Sequence, residues 1–141
     1  MAVAQLLARR ERQRLDDVLR AAGAVERLLA ELDRQDRDDI AESGRQFTVA
    51  DQHGLRQMPA YLAGLRARRA ARTVERLALQ AELEVLRRRI LLHHREAEKF
   101  ETVDAAARER ERKARLADEQ AEAAELAILG LVLRQRDTGR G

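Results

Sequence analysis

The chain has no cysteine and no tryptophan, and only one proline, one tyrosine and two phenylalanines among its 141 residues. Without cysteine there can be no disulfide staple and no thiolate metal site, which agrees with a cytoplasmic location. Aromatics are 2% of residues. A rounded core would draw on more of them, because aromatic side chains carry so much buried area. Long apolar runs are also missing, and none approaches the roughly 20 residues that cross a bilayer. At the N-terminus the basic pair Arg9 and Arg10 follows the apolar residues, whereas a signal peptide places its charge first. These absences point away from a globule, a membrane span and secretion by a signal peptide.

Charge and alanine are what the chain has in quantity. Charged residues make up 38% of it, with 28 Lys+Arg against 25 Asp+Glu for a net charge of +3. Interspersed signs of this kind mark a solvated helical surface. An Ala-, Glu-, Leu- and Arg-rich composition with helical periodicity marks a long helix or coiled coil. The regular leucine spacing argues against disorder.

Leu15, Val18, Ala22, Val25, Leu29 and Leu32 alternate at spacings of three and four, which is a coiled-coil seam. Val3, Leu6 and Leu7 extend an apolar stripe upstream, with a phase slip near Glu11. Past Leu32 the pattern fades into Asp33, Asp36, Asp38 and Asp39, where negative charge opposes the helix dipole. Gly44 is a natural C-terminal stop. The first helix is expected over about 2–43, with a connector over about 44–51. In the connector Thr48 and Asp51 form a capping pattern, and Asp51 could itself be the N-cap. Pro59 belongs either in the first turn of the second helix or at a kink slightly inside it.

The second helix is expected over about 52–135. Leu79, Leu83, Leu86, Ile90, His93, Ala97 and Phe100 repeat the seam spacing. The same register extended backwards meets Arg76, Arg72 and Arg69, so the stripe is expected to shift there to Ala70, Val74, Leu77 and Ala81. Forwards, with a slip near Val103, it continues as Ala107, Ala114, Ala117, Ala121, Ala124 and Ile128. The expected fold is all-α: one coiled-coil unit over residues 1–141, an antiparallel two-helix hairpin with a longer, projecting C-terminal helix. Folding at the connector sets the start of the first helix near His94.

Catalytic signatures are missing. His93 and His94 diverge by about 100° on a helix, and no His-x-x-x-His or phosphate loop occurs. The single serine, Ser43, lies in no nucleophile elbow. No catalytic residue, metal or cofactor is expected. Two arginine-rich stretches, Arg66 to Arg72 and Arg108 to Arg115, permit a nucleic-acid reading. They lack interleaved aromatics for base stacking, so no nucleic-acid partner is expected. The overhang also lacks the bulky apolar anchors of a membrane-surface helix. A generic scaffold, in which a second copy covers the alanine face, is the main alternative.

The run Arg95-Glu96-Ala97-Glu98-Lys99-Phe100-Glu101, the charged stretch Arg108 to Lys113, and Asp118-Glu119-Gln120-Ala121 together resemble the C-terminal helix of the FliJ family. Chain length, the unequal hairpin and the Tyr61-x-x-x-Leu65 step agree with it. FliJ is the coiled-coil stalk of the flagellar type III protein export apparatus, and YscO is its injectisome counterpart. The resemblance implies a non-enzymatic protein whose projecting end enters the ring of the export ATPase (FliI-like) and stimulates it. It also implies a hairpin that contacts the export gate (FlhA-like), binding of export chaperones, and a cytoplasmic place at the inner face of the membrane through these partners. Carried over by position, Tyr61 and Leu65 are gate candidates. Arg108, Arg112, Arg115 and Leu116, with Leu6 and Leu7, are ATPase candidates. Family members can carry tyrosines late in the first helix, where this chain has Asp36 and Asp39.

Overall fold

A computed structural model describes residues 2–49 and 52–139. It contains two helices, α1 (Ala2–Val49) and α2 (Gln52–Gly139), and no strand among the described residues. They form an antiparallel hairpin in which α2, at 88 residues, is the longer and α1 has 48. Contacts divide the chain into two units, Glu11–Arg95 and Met1–Arg10 with Glu96–Gly141.

In the Glu11–Arg95 unit the α1 residues Leu15, Ala22, Val25 and Leu32 are buried, with Val18 and Leu29 partly so. On α2, Leu83 and Leu86 are buried between the half-buried Leu79 and Ile90, and all join Ala22 and Val25 in one apolar cluster. Fully burying a leucine or valine contributes about 1.5–3 kcal/mol, so this cluster supplies the hairpin's main cohesion. Pairing runs antiparallel: Tyr61 lies beside Ser43, Arg72 beside Asp36 and Asp39, and His93 beside Glu11.

Arg72 and Arg76 stay in the seam, contrary to the shift expected from periodicity. Arg72 is 9% exposed, whereas Val74 and Leu77 are 69% and 62% exposed. The reason lies on the other helix. Asp36 and Asp39 continue the three-and-four spacing of α1 from Leu32 and face these arginines, with the exposed Asp33 beside them also pairing with Arg76. A buried charge is tolerated when it is paired and hydrogen-bonded.

No slip occurs at Glu11 either, because that glutamate is itself buried, three residues after Ala8 and four before Leu15. Leu6 and Val3 lie outside the seam, 61% and 68% exposed.

Gly44 does not end α1, so residues 44–49 of the expected connector are helical. A glycine stop needs a left-handed residue, and no glycine among the described residues has positive φ. Glu42 accepts hydrogen bonds from Arg45 and Gln46, and the Thr48 hydroxyl donates to the Gly44 carbonyl. Thr48 is thus inside the helix rather than a cap, and the Asp51 cap lies outside the described residues. Pro59 sits inside α2, beyond its first turn.

In the second unit Ala8 and Ala97 are buried, and Phe100 is half-buried with the Lys99 ammonium 5.4 Å from its ring centroid. Asp104 is buried while Val103 is 50% exposed, so the expected slip near Val103 is absent too. With the Gln5 amide turned to its hydrogen-bonding orientation, its oxygen accepts from Arg108 at 3.1 Å. The start of α1 therefore reaches the Arg108 turn of α2, further than the His94 expected from a longer connector. From Glu111 to Gly139 every residue except Gly130 is exposed.

Candidate partner-binding surfaces

In the Glu11–Arg95 unit, α1 and α2 meet near the hairpin turn at Tyr61 and Leu65. The structure brings these two residues together with Ser43. Leu65 is buried in the seam, and the Tyr61 hydroxyl lies 3.4 Å from Ser43 Oγ. Leu65 is thus mainly a packing residue. Beside them is a cleft of about 200 Å³ lined by Ile40, Ser43, Phe47, Leu62, Leu65 and Arg69. Phe47 and Ile40 stand 58% and 61% exposed at its edge. Sequence spacing misses both, because a connector drawn from Gly44 puts Phe47 outside any helix. Phe47 is one of only two phenylalanines, and that scarcity was the available signal.

The acids late in α1, Asp33, Asp36 and Asp39, are engaged within the hairpin. Arg72 Nε donates to Asp36 at 2.7 Å and its Nη2 to Asp39, while Arg76 donates to Asp33 at 3.2 Å and to Asp36. Hydrogen bonds from Arg76 and then Arg72 hold the Asp36 carboxyl below its usual range. In turn Asp36 first, and then Asp39, raise Arg72. The most buried cation of the first arginine stretch is therefore committed to internal pairing, and Arg68 lies 3.9 Å from Asp39.

Glu11 and His93 form a second polar pair across the helices. His93 Nδ1 lies 2.8 Å from Glu11, which also accepts from Arg14 at 2.9 Å. The His93 hydrogen bond leads in holding the Glu11 carboxyl below its ordinary value. Among the described residues no His, Asp and Glu side chains gather as a metal site, and no helix is long and apolar enough to cross a membrane.

In the other unit, Arg108, Arg112 and Arg115 share one face of α2 with Asp104. They line an open cleft of about 520 Å³ together with Glu101 and Glu109. The helical spacing of four and three dictates this shared face. Arg108 pairs with Asp104 at 3.1 Å, and the other Asp104 oxygen is buried without a hydrogen-bond partner among the described residues. Arg112 grips Glu109 through two hydrogen bonds of 2.6 and 3.0 Å. That grip lowers the Glu109 carboxyl and raises the Arg112 guanidinium. Arg115 is exposed and Leu116 is 43% exposed. On α1, Leu6 is exposed and Leu7 half-buried.

The same unit holds bulky apolar residues that an alanine-seam reading passes over. Leu126, Ile128, Leu129, Leu131, Val132 and Leu133 are between 46% and 69% exposed. They cluster on all sides of the helix, so a search for one apolar stripe dilutes them.

Comparison with protein-family models, curated proteins and solved structures finds no match. The chemistry of these surfaces is therefore what supports a functional reading.

Proposed function

We propose that the protein is a non-enzymatic stalk and adaptor of a type III protein export ATPase complex. It inserts the C-terminal part of α2 into the ring of a FliI-like ATPase and stimulates hydrolysis. Its hairpin contacts a FlhA-like export gate and receives export chaperones, which holds it in the cytoplasm at the inner face of the membrane through its partners. One observation carries this reading: α2 outlasts α1, and from Glu111 onward its side chains are turned to solvent. Such a helix offers charged and apolar contacts to a ring without dismantling the hairpin. Arg108, Arg112, Arg115 and Leu116 are the leading ATPase contacts, supported by their common face. Tyr61, with Phe47 and Ile40 beside it, is the leading gate contact. Leu65 contributes through packing.

The test is ATP hydrolysis by the export ATPase of the same organism, with and without the protein. Full-length chain is expected to raise the rate, and a chain ending at Arg108 is expected to lose that effect while keeping its helical melting transition. Stimulation that survives the truncation overturns this assignment.

A further inference from the structure

The outward faces of the two hairpin helices differ. On α1 the positions turned away from α2 hold Asp16, Arg20, Arg27, Arg34 and Arg37, all exposed. That is the ordinary form of a helix with one buried stripe and one solvated face. On α2 the stripe of Val74, Leu77 and Ala81 lies on the side opposite the seam, and Val85, Leu91 and Leu92 extend it. The five bulky members are between 52% and 69% exposed. From Ala63 to Leu92 only Glu84 and Arg88 place charge on this outward face, and they pair with each other at 3.3 Å. A helix apolar on two opposite sides calls for cover on both, and α1 covers one.

The surrounding charges narrow what covers the other. Arg66 and Arg87 stand along one margin of the face, Arg68, Glu75, Glu82 and Arg89 along the other, and Arg95 at its end. The guanidinium groups of Arg66, Arg87, Arg89 and Arg95 have no ion-pair partner among the described residues. Three of these four surround Leu91 and Leu92, and the neighbouring acids Glu84 and Glu96 are engaged by Arg88 and Lys99. A second copy of the face is opposed. Laid parallel, Arg88 meets Arg88; laid antiparallel about the middle of the face, Arg66 meets Arg87 on the same margin. An anionic bilayer attracts arginines, but helices seated in lipid rely on bulky anchors, and Ala63, Ala67, Ala70 and Ala81 supply none. The same alanines let another helix pack closely. We propose that the outward face of α2 over residues 63–92 docks an amphipathic helix of a partner protein, its apolar stripe on α2 and its acidic residues over Arg87 to Arg95. This surface shares no residue with the Tyr61 cleft or the Arg108 face. The docking does not rest on the export reading and is measured without any ATPase.

The probe is a labelled synthetic helix of about four heptads, with leucine at the first and fourth positions of each and glutamate at the fifth and seventh. Titrated with the full chain, it is expected to bind with a Kd of about 10 μM, and the same peptide with lysine for glutamate at least about tenfold more weakly. Val74→Gln with Leu77→Gln should weaken binding about tenfold while the melting temperature stays unchanged, because both side chains are exposed. Arg87→Gln, Arg89→Gln and Arg95→Gln together should weaken it by a similar factor and flatten its salt dependence. Arg20→Gln with Arg27→Gln, on the outward face of α1, should leave it unchanged. Absence of binding overturns the proposal, as does equal affinity for the two peptides. Binding that survives Val74→Gln with Leu77→Gln overturns it too, because attraction then needs no apolar face. Flotation with phosphatidylserine-rich vesicles that is lost in that variant would also overturn it, and would assign the face to a lipid surface.

Discussion

Glu11 occupies a seam position where an apolar residue is the ordinary choice, yet it is only 7% exposed. Hydrogen bonds from His93 and Arg14 make that burial tolerable, because a charge out of water needs partners. They also hold its carboxyl below the ordinary value of 4.5. A carboxyl depressed on folding contributes stability that is fully present above its unfolded value. That contribution is lost as pH falls through the folded value. At neutral pH Glu11→Gln should therefore melt below the unmodified chain, and the gap should shrink as pH falls below 4.5. Thermal melts of the two chains across that window check this, and a gap independent of pH would rule it out. Sequence spacing places His93 in the seam, where it is found. It treats Glu11 as a break in register, because its partner lies 82 positions along the chain.

At the scale of the helix, Gly44 separates two readings of how α1 ends. As a terminal stop it would need a left-handed backbone, and alanine there would be strained. Within a continuous helix, alanine removes backbone freedom from the unfolded chain and improves helix propensity. A methyl group at Gly44 would meet nothing within 4 Å. Gly44→Ala should thus stabilise the protein by about 0.5–1 kcal/mol, read as a higher urea midpoint at unchanged slope. Destabilisation would mean that the helix ends at Gly44 after all. The leucine seam from Leu79 to Ile90 was legible because apolar periodicity reports burial directly. The end of α1 was not, because a glycine only permits a stop. The Glu42, Arg45 and Gln46 side chains favour continuation through pairs at three and four residues.

For the molecule as a whole, two kinds of seam layer divide the labour. Apolar layers around Ala22, Val25, Leu83 and Leu86 supply cohesion, but a heptad pattern slipped by seven residues would bury similar surface. The layer of Asp33, Asp36, Asp39, Arg72 and Arg76 has no such alternative, because a slip separates its charges. Polar groups in a seam can set register at a cost in stability, and replacing buried ion pairs by apolar residues is often neutral or stabilising. This layer was illegible in either helix alone. Arginines in a predicted seam look like an error until the aspartates 33 to 43 positions away in sequence are set opposite them. Arg72→Leu combined with Asp36→Leu and Asp39→Leu should melt at or above the temperature of the unmodified chain. Its amide NMR spectrum should show more than one cross-peak per residue near the substitutions, and the unmodified hairpin should show one. A variant with a single set of peaks would show that the apolar layers alone define register and that the ion pairs are dispensable for it. A variant with a much lower melting temperature would show instead that the paired charges contribute to cohesion, and would reverse the roles assigned to the two kinds of layer.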